Sequence, residues 1–255
     1  MFMQLENYFK KAPKHPFSSK LGRLLKENKL AKFLEIILVF LAAFLIIKAF
    51  ISIKTSDLVY NQAVIWFANI IMLIIIFTGI KLRGEGLRQF GFSFKKISWK
   101  IGLKTFLHSM LVFILALAGF IIGSIIMANI SGIPEPSDMS SYDYLKDNIW
   151  MLFLTLGGVY IVASFGEEVI YRAFLINRIS ELGLSGKTGK AIVLIVSAII
   201  FGLAHYNWGL TGIVQTSFMG LVLGLCYLYL KKRIWILIIA HAYMDTILMV
   251  QLYLG

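Results

Sequence analysis

The chain has 255 residues, of which 59% are hydrophobic and 15% charged, with a net charge of +12. A soluble domain carries about a quarter charged and about half apolar residues, so this composition excludes a soluble globular enzyme. The four prolines and the scarcity of polar tracts exclude a largely disordered chain. Long apolar runs replace the alternating ten-residue segments of a membrane barrel, and they predict an all-α fold: a polytopic helical membrane bundle of about seven transmembrane helices.

Residues 1–32 form a basic N-terminal segment with eight Lys/Arg against Glu6 and Glu27. Leu5, Tyr8 and Phe9, then Leu21, Leu24 and Leu25, lie among its lysines. That pattern suits either an amphipathic helix on an anionic leaflet or a solvated basic tail. The first apolar run begins near Phe33, too far in for a short cleavable signal, and is expected to stay as an anchor. A spanning helix needs about 20 mainly apolar residues, which predicts spans near 33–53, 58–80, 105–129, 149–170, 190–208, 212–230 and 234–254. Residues 33–148 thus hold the N-terminal spans and residues 149–255 a second, more polar set.

Charge sorts by side. The connections 81–104, 171–190 and 231–233, together with residues 1–32, hold 22 of the 25 Lys/Arg. The 131–148 loop instead carries Glu135, Asp138, Asp143 and Asp147 against Lys146. Lys/Arg excess marks the cytoplasmic side, so the expectation is a multi-pass cell-membrane protein with a cytoplasmic N-terminus, its partners membrane lipids and not nucleic acid. Cys226 is the only cysteine, which excludes an intrachain disulfide. No internal repeat mirrors one half onto the other, as in many transporters.

Ionisable residues inside spans are functional hypotheses by default. Lys48 lies near a span end and can snorkel, and His108 reads as an interfacial or packed histidine. Five others concentrate in the C-terminal half: Glu167, Glu168, His205, His241 and Asp245. Glu168 and Arg172 are four apart and share a helical face, while Glu167 is turned away from that pair. One acid is thereby neutralised, and the other is free to act as a base. Phe201 and His205 are again one turn apart. The Gly/Lys/Ser-rich turn 183–190 is centred between Glu167 and His205, so straight helices would place both at one depth. His241 and Asp245 form an i, i+4 pair suited to orienting an imidazole, holding a metal or binding an oxyanion. Counting through straight hairpins leaves His241 off the level of His205.

The three elements, EExxxR at Glu167–Arg172, FxxxH at Phe201–His205 and HxxxD at His241–Asp245, resemble the CPBP (Abi) family of CAAX prenyl protease 2 and bacteriocin-processing proteins. The resemblance covers about residues 149–250. Tyr171 and Ala173 stand where the family often has Phe and Gly, and Asp245 where it often has Asn. The resemblance implies an intramembrane endopeptidase acting on membrane-anchored, prenylated or leader-bearing peptides. In that scheme Glu167 and His205 activate water, and His241 and Asp245 stabilise the oxyanion, which requires a hydrogen-bond donor between them. Glu168, Arg172 and Phe201 support them. The same four reacting residues also suit a divalent metal such as zinc carrying the attacking water. A non-catalytic membrane regulator or bacteriocin self-immunity protein of the same fold is the alternative reading, and a proton or ion transporter is a third.

Overall fold

The computed structural model describes residues 20–52, 57–93, 98–132 and 139–255. Leu5, Tyr8 and Phe9 of the basic segment lie outside the described residues, as do Lys95, Lys96, Glu135 and Asp138. The fold is all-α, and seven helices are long and apolar enough to cross a membrane: Lys29–Phe50, Leu58–Leu82, Trp99–Ser131, Ile149–Ser180, Gly186–Leu203, Tyr206–Tyr229 and Ile234–Leu254. They are numbered here as spans one to seven. The molecule is a multi-pass membrane protein.

Polar caps set several of the helix starts. Asn28 separates a short amphipathic helix, Lys20–Glu27, from span one, and its Oδ1 accepts from the Ala31 N–H at 3.0 Å. Ser98 and Asn148 cap spans three and four in the same way, each taking up an N–H that the helix leaves unpaired. The short helix leaves Leu21 and Leu24 exposed.

Spans four and seven form the centre. Span four packs against spans two, five and seven, and span seven also packs against span three, while spans five and six pair with each other and span six pairs with span three. Small residues permit the close approaches. A Cβ at Gly119 or Gly123 would press on the backbone of Phe218 or Gln215 across the span three–six interface, the way membrane helices gain packing without a hydrophobic driving force. Phe174, Leu175, Phe201, Leu223, Tyr227, Ile234 and Leu237 fill the interior with essentially no exposure.

Two differences from the expected boundaries bear on the site. Span four runs to Ser180, past the expected end near 170, because the charges that read as an exit signal, Arg172 and Arg178, are buried and ion-paired. Span five ends at Leu203, and His205 sits in the turn before a short 3₁₀ segment, Tyr206–Trp208, that opens span six.

Both long connections of the described chain fold back onto the bundle. At the basic end, Leu87–Phe90 form a 3₁₀ turn ending at Gly91, whose φ of 93° and contact with the Lys232 carbonyl leave no room for a Cβ. Phe90 and Phe92 are thereby buried, with Phe92 wedged among Phe77, Phe165 and Trp235 at centroid distances of 6.0–6.4 Å. At the opposite end, Ser140–Leu145 form a second 3₁₀ turn. Its Leu145 is fully buried, and the Asp147 N–H donates to the Tyr253 carbonyl at 3.2 Å.

Candidate active site

The site grows from an unusual stretch of helix. Tyr160–Ile176 of span four is a π-helix, closed by i→i+5 hydrogen bonds and wider than an α-helix; such segments concentrate at functional positions. It carries Ser164, Glu167, Glu168 and Arg172 into the middle of the bundle. The widened turn keeps Glu168 and Arg172 paired, with Arg172 Nη1 at 3.0 Å from Glu168 Oε1 and both side chains fully buried.

Glu168 Oε1 also receives His241 of span seven, whose Nδ1 lies 2.9 Å away. A carboxylate paired with arginine accepts only, so Nδ1 carries the proton and donates. This hydrogen bond fixes the ring and aims Nε2 into the remaining space. There it faces two more carboxylates, Glu167 Oε2 and Asp245 Oδ1, each at 3.8 Å. Those separations exceed a hydrogen bond. Glu167 Oε2 is buried and has no hydrogen-bond partner among the described residues. A buried acceptor without a partner is costly, and a bound water or substrate oxygen would relieve it.

Asp245 is held from its far side, where the Ser164 hydroxyl donates to Oδ2 at 2.5 Å. Ser164 is fully buried, and its role was absent from the sequence motifs. A serine 81 residues away along the chain has no spacing relation to reveal it.

His205 joins the cluster differently from expectation. The Ser197 hydroxyl donates to the Tyr171 carbonyl at 3.0 Å, which sets the register between spans four and five. Counting outward from that contact places the His205 backbone about four residues, or about 6 Å, beyond Glu167. The hairpin is not symmetric, because span four stops at Ser180 while span five begins only at Gly186. The imidazole then folds back one turn, its Nδ1–H donating to the Phe201 carbonyl at 2.9 Å. It lies edge-on against Phe201 and Trp208 at 4.8 and 4.9 Å, and Nε2 is the nitrogen left for chemistry.

Phe201 is the hub that levels the elements. Its ring carries the Arg172 guanidinium 4.3 Å from its centroid and meets Tyr171 at 5.0 Å and His241 at 6.4 Å. The two histidines that straight helices left at different depths therefore share one aromatic neighbour. Above the site, the 3₁₀ turn of the 140–148 connection brings in Tyr142. Burial pushes its phenol up, and the nearby Tyr144, Asp245 and Glu167 push it further.

Among the described residues, no three His, Cys, Asp or Glu side chains come together so as to hold a metal ion. Glu167 and Asp245 each approach His241 Nε2 at 3.8 Å, and His205 is turned onto Phe201.

A second buried cluster was also missed. Glu35 of span one pairs with Arg83, and Arg178 at the end of span four pairs with Glu85 and reaches Glu181 at 2.7 Å. Lys32 closes the outer edge on Glu181 at 3.0 Å. Glu35 sits alone in an apolar run, so no motif announced it.

Compared with known proteins, residues 148–247 match the family model described as Type II CAAX prenyl endopeptidase Rce1-like. The match spans all three motifs and stops short of the first three spans. No curated protein and no solved structure matches the chain.

Proposed function

We propose that this chain, whose residues 148–247 belong to the Type II CAAX prenyl endopeptidase Rce1-like family, is an intramembrane endopeptidase that hydrolyses membrane-associated, lipidated peptides with water activated by Glu167. One observation carries the reading: the buried, unpartnered Glu167 Oε2 lies 3.8 Å from an imidazole nitrogen that Glu168 has locked in place. A positioned carboxylate beside a fixed donor is what addition of water to a peptide carbonyl requires.

In this mechanism Glu167 takes a proton from a water, and the water oxygen bonds to the scissile carbonyl carbon. Negative charge develops on the carbonyl oxygen and is received by His241 as an imidazolium, whose Nδ1–H stays on Glu168 while a second proton, on Nε2, donates to that oxygen. Asp245 in its ionised form accepts only, so His241 supplies the donor, with Glu168 and Asp245 supporting its charge. The carbon–nitrogen bond then breaks, and the proton held by Glu167 passes to the leaving amine. By the resemblance His205 would assist Glu167 in activating the water, and Arg172 pairs with Glu168.

The Lys/Arg-rich connections support an N-terminus on the cytoplasmic face of a cell membrane. Prenylated peptides with a CAAX-like end are the substrate class that best suits the family. The test is cleavage of a farnesylated peptide by protein reconstituted in vesicles, wild type beside Glu167→Gln. Loss of at least about 10²-fold in turnover is expected for removal of a general base. A variant that keeps a near-normal rate would remove Glu167 from this role and leave a binding or regulatory protein as the better reading.

A further inference from the structure

Asp245 raises a chemical question inside the proposed site. An asparagine there would carry both a donor and an acceptor, whereas an aspartate offers two acceptors and can satisfy nothing that needs a proton. Its two oxygens are used differently. Oδ1 faces His241 Nε2 at 3.8 Å, and Oδ2 is taken by the fully buried Ser164 hydroxyl at 2.5 Å. That hydroxyl comes from the same π-helix that carries Glu167 and Glu168, so it ties span seven to span four one turn from the proposed base. His241 is faced by Glu167 and Glu168 from span four and by Asp245 from its own span, with Arg172 behind Glu168. Asp245 is the one acid among these whose orientation rests on a neutral side chain.

We infer that Ser164 is a positioning residue for the reaction: its hydroxyl locks the Asp245 carboxylate so that the second oxygen is presented to His241, and the two residues work as a matched serine–aspartate pair. The inference rests on the protease reading for its kinetic consequence, while the contact itself can be tested without activity. Without the hydroxyl, the carboxylate can rotate about its last side-chain bond, and His241 Nε2 loses a fixed acceptor on one flank. The substrate's own contacts are untouched, so the cost falls on turnover and not on binding.

The experiment is a double-mutant cycle in reconstituted vesicles, comparing wild type, Ser164→Ala, Asp245→Asn and the double variant. Ser164→Ala is expected to lower kcat about tenfold or more, the scale of a lost hydrogen bond to a charged group, with KM within about twofold of wild type. In the Asp245→Asn background, the same change is expected to cost under about twofold. An independent arm uses infrared spectra of protein labelled with ¹³C-aspartate. One carboxylate band should shift in Ser164→Ala, and the shift should vanish when Asp245→Asn is already present. Equal losses in both backgrounds, an unchanged kcat, or unchanged carboxylate bands would each overturn the inference. If Glu167→Gln kept its activity, the protease reading would fall, yet the infrared comparison would still decide whether Ser164 holds Asp245.

Discussion

Two buried charge clusters lie along span four, and they are built to opposite rules. The lower one joins Glu35, Glu85 and Glu181 to Arg83, Arg178 and Lys32, three acids against three fixed cations, most of them in direct contact. The upper one sets Glu167, Glu168 and Asp245 against a single fixed cation, Arg172, with His241 among them. The lower cluster is electrically closed, and it ties span one and the 83–93 connection to the end of span four. The upper one is short of positive charge and separates His241 Nε2 from two acids by 3.8 Å, whereas a buried carboxylate oxygen without a hydrogen bond among the described residues occurs in both, Glu167 Oε2 above and Glu35 Oε1 below. Burial of charge in a membrane protein is therefore not by itself the mark of a reaction centre. The mark is a cluster whose accounts are completed only by a proton and one more oxygen.

The contrast can be broken in stages. Arg172→Met and Arg83→Met should each cost about 3–5 kcal/mol, because each strands a buried carboxylate. Thermal unfolding in detergent checks this, and survival of either variant at wild-type stability would show that its cluster is not load-sharing. Glu167→Gln should separate the two clusters most clearly, losing at least about 10²-fold in turnover while the melting temperature holds. Glu35→Gln should do the reverse, lowering stability while folded molecules cleave at the normal rate, and a matching loss of turnover per folded molecule would merge the two clusters into one functional unit. Glu181→Gln lies at the half-exposed rim, where side-chain exposure is 34%, and should change stability by less than about 1 kcal/mol. Under the proposed mechanism, chelation of the purified protein should leave the cleavage rate unchanged, since among the described residues the donors at the site do not converge as a metal cage; a rate that falls and returns with added zinc would rewrite the mechanism.

The sequence reveals some of these features and conceals others for physical reasons. Apolar length marks the seven spans because membrane crossing demands it, and the EExxxR spacing marks the Glu168–Arg172 pair because both residues lie on one helix. Relations between helices leave no such trace. Ser164–Asp245 and Glu35–Arg83 join residues far apart in the chain, with no period connecting them. The end of span four is hidden because Arg172 and Arg178 look like solvent-seeking charges until their partners are known. His205 shows a third kind of limit. Its place in the motif is plain, but its depth depends on an asymmetric hairpin and on a ring that folds back onto Phe201.

The π-helical form of Tyr160–Ile176 has a consequence for how this protein tolerates change in its length. A wide turn can give up one residue and relax to the ordinary helical repeat, so a single-codon deletion before Glu167 need not destroy the span. A deletion taken up in this way leaves the end of span four in place, while the side chains between the deletion and the point of relaxation turn by about 100°. Where that interval includes Glu167 and Glu168, the span would survive while the acids turned away from His241, so a shortened stretch would separate folding from the proposed chemistry.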